Sequence, residues 1–379
     1  MEQNLESSLV SLVNLDTQVR RKSRSNVPNP LELGPGKRYP KLLLGLCVLT
    51  FIFMISWISS LSVKHKGPLA YVWPTNQTRD TSAYIHPSTI STIIQPKICN
   101  SSDPTSFPYL LIIVCSGLQN IDARTAIRGS WGLEANTMKN VKVVFLVGQG
   151  ENRTYQEEIE QEARLHQDII QEVFLDTYAN LTIKSVMLLK WFNNTCDISA
   201  KLRTEYVLKT DDDMYINVRK LYELAQANRK PNLLVGSLIC NAVPIKDPHN
   251  KWFVPTYMFK EKKFPNYLSG TGYLMQREVA RKLYAASLET PLFHLEDIYL
   301  TGILSRSIGV RPEDHIGFSY SKRALKPCLF KQVISSHQVT PNQLMTMHVK
   351  LQDKRLDKCA LLTKKQLRNY GPVKCVWPK

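Results

Sequence analysis

The stretch Lys209–Asn217 reads KTDDDMYIN, and its three successive carboxylates, Asp211, Asp212 and Asp213, are of a type and spacing that suits chemistry. An acidic triplet is commonly a solvated turn. Here it interrupts two β-like apolar stretches, YVLK and MYI, which argues against a surface run of charge. Carboxylates gathered at a strand end suit a hard divalent cation, Mg²⁺ or Mn²⁺, which keeps several waters and bridges substrate phosphates. Arg124 and Arg128 stand four apart, on one face of a helix. An arginine pair so placed meets either phosphates or neighbouring acids. Gly270–Thr271–Gly272, within YLSGTGY, lets backbone approach a ligand closely.

The elements that must position these residues show in the hydrophobic pattern. Tyr109–Ser116 (YLLIIVCS), Val141–Val147 (VKVVFLV), Ile169–Phe174 and Tyr206–Lys209 read as strands. Ala123–Trp131, Tyr155–His166 and Leu181–Asn193 read as helices between them. Apolar strands alternating with helices predict an α/β fold with a mostly parallel central sheet covered on both faces. Ligands of such sheets bind beyond the carboxyl ends of the strands, where Asp211 lies.

Leu42–Val63 is a run of 22 residues without a charge. As a helix it would reach roughly 33 Å, enough to cross a bilayer. It begins too far into the chain, and is too long, for a cleaved signal peptide. Arg20, Arg21, Lys22, Arg24, Lys37, Arg38 and Lys41 precede it and only Lys64 and Lys66 closely follow, so the N-terminus is expected on the cytoplasmic side. Sequons at Asn76, Asn100, Asn152, Asn180 and Asn193 suit a lumenal location for the rest. Of the eight cysteines Cys47 falls in the span, and the other seven lie where disulfides form, with an odd one left over. No CxxC pair occurs, which disfavours zinc. Most of the net charge of +17 reads as a diffuse basic surface; beyond that, an anionic small molecule, an acidic glycan or the membrane surface are better candidate partners than nucleic acid, which is absent from the lumen. The expected organisation is a cytoplasmic tail (1–41), a signal-anchor (42–63), a Ser/Thr/Pro-rich stem (64–107), a catalytic domain (108–349) and a basic C-terminal extension (350–379).

In order along the chain stand RTAIRGSWG (Arg124–Gly132), VFLVG (Val144–Gly148), DIIQEVFLDTYANLT (Asp168–Thr182) with Lys184, KTDDDMYIN, KWFVP (Lys251–Pro255), YLSGTGY (Tyr267–Tyr273) and LEDIYLTG (Leu295–Gly302). Together they resemble the β1,3-glycosyltransferase family (glycosyltransferase family 31). It includes β1,3-galactosyltransferases, β1,3-N-acetylglucosaminyltransferases and relatives of fringe. The resemblance covers roughly residues 98–345.

That resemblance implies a single GT-A-type nucleotide-sugar-binding domain. Asp211, Asp212 and Asp213 would hold Mn²⁺ and the diphosphate of a UDP-sugar, with Asp213 the foremost direct ligand. His337, in ISSHQV, takes the place of a histidine that completes the metal site in related enzymes, though a lone histidine is also commonly structural. The family's base falls on the Glu296–Asp297 pair, with Asp297 deprotonating the acceptor 3-hydroxyl and Glu296 in support. An α-linked donor then gives a β-linked product in one in-line displacement. The same pair also suits the N-terminus of a helix over Ile298–Leu304. The Gly270–Gly272 loop would lie beside the transferred sugar. Asp176 and Lys184 would lie near the donor pocket. Trp252 would stack on a sugar or pack in the core. Cys99 and Cys196 match family cysteines expected to pair, whereas Leu268 and Ile303 stand where the family has another cysteine pair. The implied activity is inverting β1,3 transfer, of galactose first, then N-acetylglucosamine or N-acetylgalactosamine. The acceptor would be a glycan on a glycoprotein or glycolipid, and the enzyme a single-pass type II Golgi membrane protein able to dimerise. A non-catalytic glycan-binding relative is the rival reading, against which the intact triplet and acidic pair both weigh.

Overall fold

Residues 45–54, 73, 77–228, 230–368 and 375 are described in a computed structural model. Residues 45–54 form a helix with exposed side chains. Among the described residues no helix is long and apolar enough to cross a membrane. The rest of the expected 42–63 span, and the 1–41 tail, lie outside the described residues.

The body beyond residue 66 is built on an eight-stranded sheet. Its strands are β1 (Thr92–Ile94), β2 (Leu110–Cys115), β3 (Val141–Gln149), β4 (Ile169–Leu175), β5 (Tyr206–Asp211), β7 (Leu234–Ile239), β8 (Tyr267–Gln276) and β9 (Glu313–Asp314), in the order β1-β4-β3-β2-β5-β8-β7-β9. The run β4-β3-β2-β5 is parallel, and β8 lies antiparallel between β5 and β7. β6 (Tyr215–Ile216) pairs separately with β10 (Ser335–Ser336). Side chains of β2 alternate between two cores. Leu110, Ile112 and Val114 face helices α1 (Ile121–Arg128), α2 (Trp131–Thr137), α3 (Arg153–His166) and α5 (Val218–Ala227); Leu111, Ile113 and Cys115 face α4 (Leu181–Thr195) and α6 (Arg277–Glu289). That alternation is why β2 is apolar throughout.

Three expectations are corrected. The SGTGY stretch is the start of β8 and not a loop: Thr210 pairs with Gly272 and Lys209 with Tyr273. The helix expected over Ala123–Trp131 is two, α1 and α2, broken at Gly129–Ser130. The stem does not run to 107 as a spacer. Trp73 is 2% exposed, its indole N–H donates to the Thr78 carbonyl at 2.9 Å, and Leu292 N–H donates to Arg79 O at 2.7 Å. The C-terminal extension, whose sequence carried no structural expectation, is fastened to the body by Cys328–Cys359, Cys240–Cys375 and the Arg368–Asp314 ion pair at 2.9 Å. Cys99–Cys196 pairs as expected, and Cys115 is the odd thiol, buried and pushed up to about 12 by loss of water. Where the family pair is missing, Leu268 is fully buried and Ile303 packs against the same core.

Candidate functional site

The carboxyl ends of β2, β3 and β5 converge with β8. Asp211 is the last residue of β5, directly opposite Cys115 on β2. The triplet separates into three environments. Asp211 Oδ1 accepts from Lys209 Nζ at 2.8 Å. Asp212 Oδ2 accepts from Ser116 Oγ at 2.7 Å and from Asn120 Nδ2 at 2.9 Å. Burial raises the pKa of Asp212, those two hydrogen bonds oppose the rise, and the charges of Asp211 and Asp213 add to it. Asp213 turns outward, its Oδ2 standing 3.1 Å from His337 Nε2. An open hollow beside the triplet is lined by Gln119, Asn120, Asp212, Asp213, Lys322 and Thr340.

His337 Nδ1 lies 2.7 Å from the Tyr320 carbonyl, which can only accept, so Nδ1 carries a proton. In the neutral ring Nε2 then presents its lone pair towards the Asp213 carboxylate. Two electron-rich groups face one another, an arrangement relieved by a cation between them or by a proton. Burial opposes a proton on His337, but Asp213 outweighs it and raises the pKa. Among the described residues no three His, Cys, Asp or Glu side chains are grouped to hold a metal ion. Asp213 and His337 still fit Mn²⁺ or Mg²⁺, which takes few protein ligands and completes its shell with phosphate oxygens and water. Asp211, expected among the ligands, has its Oδ1 held by Lys209.

Lys209 links this region to the acidic pair. Its ammonium, 4% exposed as a residue, also donates to the Gly270 carbonyl and stands 3.7 Å from Glu296 Oε2. Burial opposes its charge, and Asp211 and Glu296 overcome that and hold its pKa above the ordinary lysine value. Glu296 accepts from the Tyr273 hydroxyl at 2.6 Å and is buried. Asp297 is half-buried, with Oδ1 accepting from Ile298 N–H at 2.9 Å and Oδ2 from Gly270 N–H at 3.3 Å. Asp297 caps a π-helical segment, Ile298–Leu304, as its place before that segment leads one to expect. Burial, then the neighbouring Glu296 charge, pushes its pKa up to about 7 against two N–H donors and Lys209. A Cβ on Gly270 would stand 2.8 Å from Glu296 Oε2 and 3.3 Å from Asp297 Cβ, so only glycine fits there. Thr271 lies between the two glycines, its carbonyl accepting from Thr210 Oγ1 at 3.0 Å. A Cβ on Gly272 would meet that same Thr210 Oγ1 at 3.3 Å.

Trp252 is 48% exposed and does not pack in the core; Lys251 Nζ lies 4.5 Å from its ring centroid. Tyr178 is its neighbour, and the pKa of that phenol is raised by burial and then by the charge of Asp297, with Trp252 opposing the rise. These two aromatics form a rim near Asp297.

The expected arginine pair does not face a ligand. Arg124, 1% exposed, donates to Glu162 Oε2 at 2.7 Å and to the carbonyls of Gly117 and Leu118. Arg128 meets Glu162 at 2.7 Å and Asp168 at 2.8 Å. Arg128 ties α1 to α3 and to the start of β4, and Arg124 braces the turn after β2. Asp176 and Lys184 brace it from the other side: Lys184 Nζ lies 2.8 Å from Asp176 Oδ2 and 2.6 Å from the Ser116 carbonyl, and Gly148 N–H donates to Asp176. Lys209, Ser116, Asn120 and Tyr273 were not singled out from sequence. Lys209 alone left a signal there, a lysine two residues before Asp211 on a strand and hence on the same sheet face.

A family model described as Galactosyltransferase matches residues 122–315. Beta-1,3-galactosyltransferase 1 of Homo sapiens is 34% identical over 281 residues, 73% of this chain and 82% of that protein. Beta-1,3-galactosyltransferase 5 of Homo sapiens is 34% identical over 257 residues, 66% and 81% of the two chains. Among solved structures, a glycosyltransferase involved in glycosylation of the major capsid of PBCV-1 overlaps with a TM-score of 0.34 at 13% identity, over 64% of this chain and 100% of that one.

Proposed function

The chain belongs to the galactosyltransferase family and is a glycosyltransferase, and on that premise we propose that it transfers galactose from UDP-galactose to the 3-hydroxyl of a glycan acceptor, with inversion. The observation that carries the reading is Asp297, a half-buried carboxylate with a pKa of about 7, joined through Glu296 and Lys209 to the acidic triplet. A base poised near neutrality deprotonates a hydroxyl as it attacks. Asp297 takes the acceptor proton while Gly270 N–H and Ile298 N–H keep its carboxylate aimed. Glu296, committed to Tyr273 and Lys209, holds the neighbouring backbone and does not compete for the proton. The bare backbone at Gly270 leaves room beside the base for the sugar. Trp252 and Tyr178 offer apolar faces on which an acceptor ring can rest. Asp213 and His337 would hold a divalent cation, Mn²⁺ foremost, which supplies charge neutralisation for the departing diphosphate.

The fold is read as GT-A-type. The uncharged run Leu42–Val63 and its basic N-terminal flank support a type II anchor placing the catalytic domain in the Golgi lumen, and the three disulfides suit that compartment.

The test is release of UDP by a secreted chain beginning at Gly67, offered a panel of UDP-sugars with Mn²⁺ and galactose- or hexosamine-terminated acceptors. Turnover with UDP-galactose, abolished by chelator and by Asp297→Asn, is expected. Turnover with UDP-N-acetylglucosamine or UDP-N-acetylgalactosamine alone would replace the donor, and UDP binding without turnover on any pair would favour a glycan-binding relative.

A further inference from the structure

The basic C-terminal segment took no part in the reading above, yet one of its carbonyls reaches the interior. Arg323 is 1% exposed, and its guanidinium donates to the carbonyls of Ser335 at 3.0 Å, Ile316 at 3.1 Å, Phe318 at 3.0 Å and Leu367. A buried guanidinium is costly unless its donors are satisfied, so these carbonyls are held tightly about it. Ser335 belongs to β10, Ile316 and Phe318 to the stretch 316–323, and Leu367 to the C-terminal segment.

That frame leads to His337. The arch 316–323 is zipped to β10 by Arg323 N–H donating to Ser336 Oγ at 3.1 Å and Ser319 N–H donating to Ser335 Oγ at 3.1 Å. β10 pairs with β6, just beyond the triplet, and Val339 N–H donates to the Asp213 carbonyl at 2.9 Å. His337 follows β10 directly, and its Nδ1 is held by Tyr320 of the arch. Tyr320 aims the ring, β10 fixes its Cα, and Arg323 fastens both together. Leu367 is held in turn by Arg368–Asp314 at 2.9 Å and by Cys328–Cys359.

We propose that Arg323 is a positioning residue for His337, and that the C-terminal segment, through the Leu367 carbonyl, completes the frame that holds the Asp213–His337 pair in cation-binding geometry. The inference rests on the reading of that pair as a divalent-cation site. Partners that orient a metal-ligating histidine matter to affinity about 10–100-fold when lost.

The experiment titrates Mn²⁺ by calorimetry into the secreted chain from Gly67 with saturating UDP, alongside melting temperature and turnover. Arg323→Lys keeps the charge with fewer donors, Arg368→Ala releases Leu367 without touching the arch, and Arg368→Lys retains the Asp314 pair. Asp357→Asn breaks Lys331–Asp357, an ion pair of the same segment remote from Leu367. Arg323→Lys and Arg368→Ala are expected to weaken Mn²⁺ about 10-fold or more. Turnover should recover at saturating Mn²⁺, Arg368→Lys should restore affinity, and Asp357→Asn should leave it unchanged. Wild-type Mn²⁺ affinity in both weakened variants, with only melting temperature lowered, would overturn the proposal. UDP binding by the wild type that ignores Mn²⁺ would remove the metal reading itself, and this inference with it.

Discussion

Lys209 and Glu296 face one another at 3.7 Å, side chains 6% and 7% exposed, and this contact joins the end of β5 to the acidic pair. The two charges are buried together, with Asp211 at 2.8 Å as the outer partner of the lysine. Breaking a buried pair by removing one member strands the other, at a cost of about 3–5 kcal/mol. Lys209→Met is therefore expected to lower stability by that order and to abolish turnover. The double variant Lys209→Met/Glu296→Gln should regain part of the stability, since no unpaired charge remains at 296. Denaturant unfolding of both variants measures this. Equal stability of the single and double variants would show that the pair is not coupled.

The parallel half of the sheet is legible in the sequence because Leu110–Cys115 and Val144–Val147 are buried on both faces and so are apolar throughout. β8 escapes the same reading for a physical reason. Its opening, SGTGY, lacks side chains at Gly270 and Gly272 to admit Glu296, Asp297 and Thr210, so the chemistry of the site erased the strand pattern. Arg124 and Arg128 do share a helix face, but their partners Glu162 and Asp168 lie about forty residues on, and helical spacing cannot tell a distant acid from a phosphate. His337 and Asp213 are similarly joined only by tertiary contact. The likeness to family motifs, and not residue pattern, brought them together.

The raised pKa of Asp297 couples activity to pH in one direction and stability in the other. In the proposed role of base it must be ionised, so kcat/KM is expected to rise with pH and level off above about 7. For stability, a carboxyl whose folded pKa exceeds its unfolded value binds more protons when folded, so its contribution declines as pH rises from about 4 to about 7. Asp297→Asn removes that cost while keeping an acceptor for Ile298 N–H. The variant is expected to lose about 10²–10⁴-fold in kcat. At pH 8 it should melt no lower than the wild type, and the difference should shrink towards pH 4. A pH-rate profile and melting curves at both pH values check the two halves separately.

Gly270→Ala tests the close approach beside the base. The added methyl would meet Glu296 Oε2 at 2.8 Å, and that oxygen has little freedom because its carboxylate is held by Tyr273 and Lys209. Overpacking of this kind costs about 1–3 kcal/mol. Because the strain falls on the acidic pair, kcat is expected to drop well beyond what the stability loss accounts for, with UDP binding retained. Unchanged kcat would mean that β8 can yield here without moving Asp297.

The segment before β1 supplies the last expectation. Trp73 is 2% exposed and stacks edge-on with Tyr84 at 5.4 Å, and its carbonyl accepts from the Tyr257 hydroxyl. Tyr257 lies five residues beyond Trp252, so a residue expected in a passive spacer braces the loop that carries the rim of the site. Emptying a buried tryptophan site costs about 3–5 kcal/mol. Trp73→Ala, and likewise a chain begun at residue 98, should melt well below the chain begun at Gly67. A stem that only lifts the domain off a membrane would leave both measurements unmoved. If the bracing reaches the acceptor side, Trp73→Phe, which keeps most of the buried area and the backbone carbonyl, should restore most of the stability and leave the acceptor KM near the parent value. In Trp73→Ala the KM for acceptor should rise while that for donor holds, because Tyr257, which Trp73 braces, shares a loop with Trp252.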